Sequence, residues 1–141
     1  MGVDRVLLTT LNAAYKKETR GTEERVFLGL PARIAPFKVG VYPLMKKDGL
    51  SEEAYKIFQE LQRMSVNALY DESGSIGKRY ARGDEIGIPF GITVDYDTLK
   101  EQTVKLRERN SMTQKRVPVE ALDEIFWKFS TGRKTFDDLA D

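Results

Sequence analysis

Neither cysteine nor histidine occurs among the 141 residues. Without cysteine there is no disulfide framework, and nothing in the composition argues for secretion. Without histidine as well, the usual zinc ligand sets and the Cys–His and Ser–His nucleophile pairs are excluded, and no unperturbed side chain titrates near neutrality. An enzyme made from this chain would have to work with carboxylates, Lys, Tyr or a hydroxyl. No metal and no cofactor are expected for it. Long apolar runs are also lacking, so no membrane span is expected. Asp4 and Arg5 interrupt the opening stretch before a secretory signal could form. There is no internal repeat and no low-complexity tract. These absences together lead to the expectation of a cytoplasmic protein.

What is present is ordinary in bulk. A chain with 40% hydrophobic and 32% charged residues is globular by composition, and its length suits one main core. The formal net charge of +1 hides a segregated pattern. Between Lys100 and Arg116 the basic residues Lys100, Lys105, Arg107, Arg109, Lys115 and Arg116 are opposed by Glu101 and Glu108, whereas the tail from Glu120 is net acidic. A local basic stretch suits an anionic partner even where the total charge does not advertise one.

Leu7, Leu8, Leu11, Ala14 and Tyr15 recur at helical spacing, which predicts an amphipathic helix within Gly2–Lys17. Polar Thr19–Arg25 reads as a linker, and Phe27–Leu30 as a short apolar extension before Pro31. The β-branched and aromatic content of Phe37–Leu44 predicts a strand. Ser51, followed by Glu52 and Glu53, predicts a helix cap, with Ala54, Ile57, Phe58, Leu61 and Met64 as the buried stripe. Val66–Asp71 predicts a second strand, and Gly74-Ser75 opens a helix running to about Arg82. Phe90, Ile92 and Val94 then alternate with Gly91, Thr93 and Asp95. After a turn near Asp97–Gln102, Val104 and Leu106 alternate with Lys105 and Arg107, so the two runs form a hairpin. Pro118 precedes a last helix striped with Val119, Leu122, Ile125, Phe126 and Phe129, and Gly132 stands where its C-terminal cap belongs. The order β-α-β-α-β-β-α predicts the α/β class, with a mixed sheet flanked by helices.

Successive side chains of a strand point to opposite faces. With Ile92, Val94, Val104 and Leu106 turned to the core, Thr93, Asp95, Lys105, Arg107 and Arg109 share the other face. A cytosine's Watson–Crick edge offers one amino donor and two acceptors, and carboxylate beside guanidinium matches it. Phe37, Phe90 and Tyr96 supply rings on which an unpaired base could stack. The same alternation also reads as a solvated face whose charges pair across strands. The run Gly74–Arg82 lacks both the glycine spacing of a P-loop and the hydroxyl residue after its Lys, so nucleotide hydrolysis is not expected. Ser75 with Lys78, Arg79 and Arg82 suits an RNA phosphate at a helix start, and equally a capped surface helix. Asp84 and Glu85, which follow a glycine, read as a solvated turn rather than as a catalytic pair.

The run DESGSIGKRYARGDEIGIPFGITVDYDTL, residues 71 to 99, resembles the anticodon-binding domain of archaeal and eukaryotic-type glycyl-tRNA synthetases. Thr103–Met112 with Gln114 and Arg116 is similar to that family's next block, and Ile34–Val39 with Pro43-Leu44 to its opening strand. The threonyl, prolyl and histidyl relatives share the fold but not the GSIG-x-RYAR-x-DEIG string. Thr135–Asp141 resembles the short final helix. Gly2-Val3-Asp4-Arg5 resembles the third signature motif of class II synthetases, whose arginine packs against the adenine of ATP. The resemblance therefore implies that Arg5 is an ATP ligand in a parent enzyme that uses ATP with magnesium. The catalytic sheet and the other two signature motifs do not occur in this sequence.

The resemblance implies the class II synthetase anticodon-binding fold, a mixed five-stranded sheet flanked by three helices, with an extra N-terminal helix. Residues 1–24 would be the remnant of the motif 3 helix and a linker, and residues 25–141 the anticodon-binding domain. The implied partner is the anticodon loop of tRNA-Gly, bound as part of a glycine–tRNA ligase that glycylates tRNA, with no catalysis by this chain alone. The implied contact residues are Phe37, Lys38, Ser75, Lys78, Arg79, Arg82, Thr93, Asp95, Tyr96, Lys105, Arg107 and Arg109. The parent family is homodimeric mainly through its catalytic domain, so a monomer or weak dimer is expected here. A competing expectation is a free-standing protein that reuses the fold for protein–protein contact, as the accessory subunit of mitochondrial DNA polymerase does.

Overall fold

A computed structural model describes residues 15–20, 23–31, 34–132 and 136–139. Strands β1 (Tyr15–Arg20) and β2 (Glu23–Leu28) form an antiparallel hairpin of their own, with Tyr15 opposite Leu28. The main sheet is made of β3 (Val39–Pro43), β4 (Ala68–Tyr70), β5 (Phe90–Val94), β6 (Thr103–Glu108) and β7 (Gln114–Pro118), in the order β4-β3-β5-β6-β7. Pairing is parallel from β4 through β3 to β5 and antiparallel from β5 through β6 to β7. Helix α1 (Leu50–Arg63) joins β3 to β4, α2 (Ile76–Glu85) joins β4 to β5, and α3 (Tyr96–Glu101) joins β5 to β6. A 3-10 turn at Val119–Ala121 leads into α4 (Leu122–Thr131).

Alternation along the strands builds the core. Val39, Val41, Ile92, Val94, Val104 and Leu106 are fully buried and meet Ala54, Ile57 and Leu61 of α1 and Leu122, Phe126 and Phe129 of α4. Phe90 stacks on Phe129 with ring centres 4.6 Å apart. Lys115 lies opposite Leu106 and so emerges on this apolar face. Its stem covers the core edge while its ammonium donates to the carbonyls of Phe136, Asp137 and Leu139 at 3.3, 3.4 and 2.8 Å.

The other face is built on missing side chains. Tyr42 folds over Gly40 and against Gly83, and Tyr80 of α2 lies over Gly91. The two tyrosine rings meet edge to face at 5.0 Å. Glycines in two adjacent strands thus let α2 settle on the sheet with aromatic rings between the layers.

Several elements differ from the sequence expectations, each for a local reason. Thr19–Arg25, expected to be an irregular polar stretch, lies mostly in β1 and β2. Tyr15–Lys17 belong to β1, while the rest of the expected N-terminal helix, including Arg5, lies outside the described residues. Helix α1 begins at Leu50 behind Gly49, whose left-handed φ of 81° makes the turn, so Ser51 sits inside the helix and caps nothing. The turn expected at 97–102 is a helix opened by a capping box. Asp95 Oδ1 accepts from the Thr98 amide at 3.2 Å, and Thr98 Oγ1 accepts from the Asp95 amide at 3.1 Å. This helix raises the flanking set from three to four among the described residues. The fifth strand, β7, escapes the alternation pattern because it is an edge strand that commits Val117 alone to full burial. Among the described residues no helix is long and apolar enough to cross a membrane.

Candidate nucleic-acid interface

Strand β3 lies at the centre of the parallel part: the chain leaves it through α1 to β4 on one side, then crosses back from β4 through α2 to β5 on the other. In open α/β sheets the loops at the carboxyl ends of such strands surround a ligand crevice. Here those loops are residues 44–49 after β3, 71–75 after β4, and Asp95-Tyr96 after β5.

Two arginines of α2 hold the second loop from beneath. Arg79 is buried and spends its fork on backbone, donating to the carbonyls of Ser73 at 3.2 Å, Gly74 at 2.8 Å and Pro43. Arg82 grips Asp71 Oδ2 with Nε at 3.0 Å and Nη2 at 2.7 Å, and also reaches the Ser73 carbonyl. Burial alone would raise the Asp71 carboxyl, but the Ser73 amide and hydroxyl and the Arg82 guanidinium outweigh it and hold it below the ordinary value. Ser75 caps α2 by accepting from the Lys78 amide at 3.3 Å, and Lys78 itself is exposed. The loop is therefore preorganised, with Ser73, Gly74 and Ser75 facing solvent.

Behind it lies a buried polar layer. Arg107 forks onto Asp84, Nη1 to Oδ1 at 3.0 Å and Nη2 to Oδ2 at 3.1 Å, and lies 4.5 Å over the Tyr80 ring. Tyr80 and Thr93 hydrogen-bond through their hydroxyls. Burial pushes the hydroxyls of both Tyr42 and Tyr80 above their ordinary value. Asp84 is thus no solvated turn residue; it is 5% exposed and supports α2 from inside. Arg109, just beyond β6, donates to the carbonyls of Gly87 at 3.0 Å and Leu30 at 2.7 Å. Phe90, expected as a stacking ring, is in the apolar core.

The accessible residues make a smaller group. Thr93, Lys105 and Arg107 do share the face opposite the core, but among them Lys105 alone is exposed. Lys105 lies directly opposite Arg116, a like-charge pairing that is ordinarily unfavourable. Arg116, one of the basic run but not among the expected contact residues, lies here as well. It forks onto Asp95 at 2.6 and 3.3 Å, donates to Thr103 Oγ1 at 3.0 Å, and lies 3.6 Å from Asp97. Tyr96 is exposed and donates to Asp48 Oδ2 at 2.6 Å, a bond that raises its hydroxyl above the ordinary value. Phe37 and Lys38 are half-buried before β3, at the opposite end of the parallel strands from Ser75, Asp95 and Tyr96, and burial lowers the Lys38 ammonium.

Asp95 carries two roles, as α3 cap and as Arg116 partner. Burial would raise its carboxyl, but the bond and charge of Arg116, with the Thr98 amide and hydroxyl, hold it below the ordinary value. A group depressed on folding stabilises the fold above its unfolded value and loses that contribution as pH falls through its folded value. Asp95→Asn keeps a capping oxygen and loses the ion pair, so it should cost about 1 kcal/mol at neutral pH in urea denaturation. The gap to the parent chain should close as pH drops below about 4. A gap that persists unchanged to about pH 2 would assign the loss to capping geometry and not to charge.

Among the described residues, no group of three or more His, Cys, Asp or Glu is placed to hold a metal ion. Residues 38–128 match the family model described as an anticodon binding domain. The chain is 47% identical over 123 residues to a glycine–tRNA ligase of Borrelia hermsii, covering 86% of this chain and 27% of that one. It is 43% identical over 137 residues to a glycine–tRNA ligase of Methanothrix thermoacetophila, covering 97% and 24%. It is also 47% identical over 125 residues to that of Clostridium acetobutylicum, covering 88% and 26%. The chain thus spans about a quarter of the length of these curated relatives. The fold is similar to the RNA-binding domain of a threonyl-tRNA synthetase from Cryptosporidium parvum, with TM-score 0.65 and 20% identity over 71% of this chain and 25% of that one. A prolyl-tRNA synthetase from the same organism gives 0.64 and 17% over 73% and 23%. The mixed sheet, the loop held by Arg79 and Arg82, and the family match over most of its length establish that this chain belongs to the anticodon-binding domain family.

Proposed function

We propose that the chain binds the anticodon stem-loop of tRNA-Gly as one domain of a cytoplasmic glycine–tRNA ligase, whose remaining part carries ATP-dependent glycylation. The observation that carries this reading is the Lys105–Arg116 pair. Two cations face one another across β6 and β7, with Asp95 beside them as an acceptor, next to a preorganised loop at the switch point. Asp95 and Asp97 balance Arg116 within the fold, which leaves the exposed Lys105 ammonium beside them as the cation that an anionic ligand with base edges would meet. In this reading Lys105, Arg116 and Tyr96 meet the bases, with the buried Asp95 holding Arg116 in place behind them, and Lys78, Lys38 and the start of α2 at Ser75 meet phosphates. Phe37 flanks the RNA at the far end. Thr93, Arg79, Arg82, Arg107 and Arg109 act from within the fold, by holding those elements in place. The expected boundary between residues 24 and 25 falls inside the β1–β2 hairpin, so that hairpin serves as the connector to the preceding region.

The test is a titration of the chain with the tRNA-Gly anticodon hairpin and with the same hairpin after both cytosines are changed, at several salt concentrations. The cytosine hairpin should be preferred by roughly 1–3 kcal/mol per changed base. Lys105→Ala should weaken binding and reduce the salt slope by about one. Equal affinity for both hairpins would reduce the reading to phosphate binding. No affinity for either would favour reuse of the fold for protein–protein contact.

A further inference from the structure

The segment that follows the β1–β2 hairpin packs against a far corner of the sheet, and the side chain of Arg109 supplies a polar anchor for it. Arg109 is 3% exposed, and its Nη2 donates to the Leu30 carbonyl at 2.7 Å across 79 residues of chain. Its Nη1 donates to the Gly87 carbonyl at 3.0 Å, and its own amide to the Pro89 carbonyl at 2.9 Å. Leu30, Ala35 and Leu28 form an apolar cluster apart from the main core. Gly87, at φ 86°, is what the cluster rests on, for a Cβ there would stand 2.8 Å from Leu30 Cδ1 and 3.1 Å from Leu28 Cδ2. A bare backbone and a guanidinium fork together form a seat for Leu28–Leu30.

We infer that Arg109 is a positioning residue that locks this connector onto the sheet, and so fixes the direction in which the anticodon-binding face looks relative to the region preceding it. The inference rests on the proposed function for its consequence, though not for its geometry. A planar fork held by carbonyls from two segments sets an angle as well as a distance, which a lysine ammonium cannot do. A connector left free would present a bound anticodon in many orientations, and few of them would bring the other end of the tRNA to the reacting groups. The clasp removes that freedom before tRNA arrives.

The experiment compares Arg109→Met, Arg109→Lys and Leu30→Ala in this chain and in the complete ligase carrying it. In the chain, Arg109→Met should speed amide exchange over residues 23–31 by about tenfold or more while β3, β5 and β6 keep their protection. Affinity for the anticodon hairpin should stay within about twofold. In the ligase, kcat/KM for tRNA should fall by about tenfold while tRNA-independent ATP–pyrophosphate exchange is unchanged. Arg109→Lys should not rescue, and Leu30→Ala should act in the same direction with a smaller effect. Normal charging despite a loosened connector overturns the inference, as does a connector that stays protected. If Arg109→Met unfolds the sheet, Leu30→Ala, which lies outside it, decides by the same criteria. Failure of the unaltered chain to bind the hairpin would instead overturn the anticodon reading, and leaves the exchange result standing on its own.

Discussion

Arg107→Ala should lower the stability of this chain by about 3–5 kcal/mol, as read by urea denaturation, and should do so without removing a base contact. Asp84 and Arg107 are each 7% exposed at the side chain, and the fork between them has two bonds near 3 Å. The guanidinium also rests on Tyr80, whose ring separates α2 from the sheet. Truncating the arginine leaves a carboxylate in a site closed by Tyr80 and Tyr42, and the cost is chiefly that of an uncompensated buried charge. The double replacement Arg107→Met with Asp84→Leu should therefore recover most of the loss, since an apolar pair of similar volume needs no compensation. A double-mutant cycle reads the coupling directly and should give at least about 2 kcal/mol. Under conditions where Arg107→Ala remains folded, its affinity for the anticodon hairpin should be within a few-fold of the parent chain. A small stability loss with a large loss of affinity would return Arg107 to the role of base reader.

That outcome bears on what was legible in the sequence. Strand alternation put Thr93, Lys105 and Arg107 on one face correctly, because a period of two is a local property. Which part of that face is covered is not local. Helix α2 lies over β3 and β5, so Arg107 is enclosed while Lys105, two residues earlier, is in solvent. The Asp84–Arg107 pair spans 23 residues, and the Leu30–Arg109 bond spans 79. No spacing rule reaches so far. The Ser75 cap and the Gly132 terminus were legible because each is set by its own few residues. The capping box of α3 was legible in principle, since Asp95 and Thr98 stand three apart, but six residues between two strands read more readily as a turn. The resemblance to glycyl-tRNA synthetases named the family without distinguishing buried from exposed arginines. The string Arg79-Tyr80-Ala81-Arg82-Gly83-Asp84 is now seen to serve mainly the seating of α2 and its loop. Arg79 ties three carbonyls, Tyr80 and Gly83 form the aromatic layer, Arg82 holds Asp71, and Asp84 holds Arg107.

Glycine at position 91 is the other place where a small change should have a large effect. In an ordinary strand Gly→Ala is favourable by roughly 0.5–1 kcal/mol, because the unfolded chain loses freedom and the extended backbone tolerates a Cβ. Here a Cβ would stand 2.3 Å from Tyr80 Cε1, 3.0 Å from its Cδ1 and 3.3 Å from Tyr42 Cε2. The Tyr80 ring has nowhere to go. Its hydroxyl is bonded to Thr93, Arg107 lies on its face, and Tyr42 meets it at 5.0 Å. Relief must come from moving α2 off the sheet, which would also pull Asp84 from Arg107 and shift the loop at 71–75. Gly91→Ala should thus cost about 3 kcal/mol or more, at the upper end for overpacked cores. Tyr80→Phe, which keeps the ring and loses one hydrogen bond, should cost only about 1 kcal/mol. The clash predicts a specific non-additivity: truncating Tyr80 to Leu should cost less when Gly91 is already Ala than when it is Gly. Because the 71–75 loop is held through α2, Gly91→Ala should also weaken the anticodon hairpin more than Arg107→Ala does when each variant is compared fully folded. Equal hairpin affinities for those two folded variants would separate the loop from the seating of α2 and restrict recognition to β6 and β7.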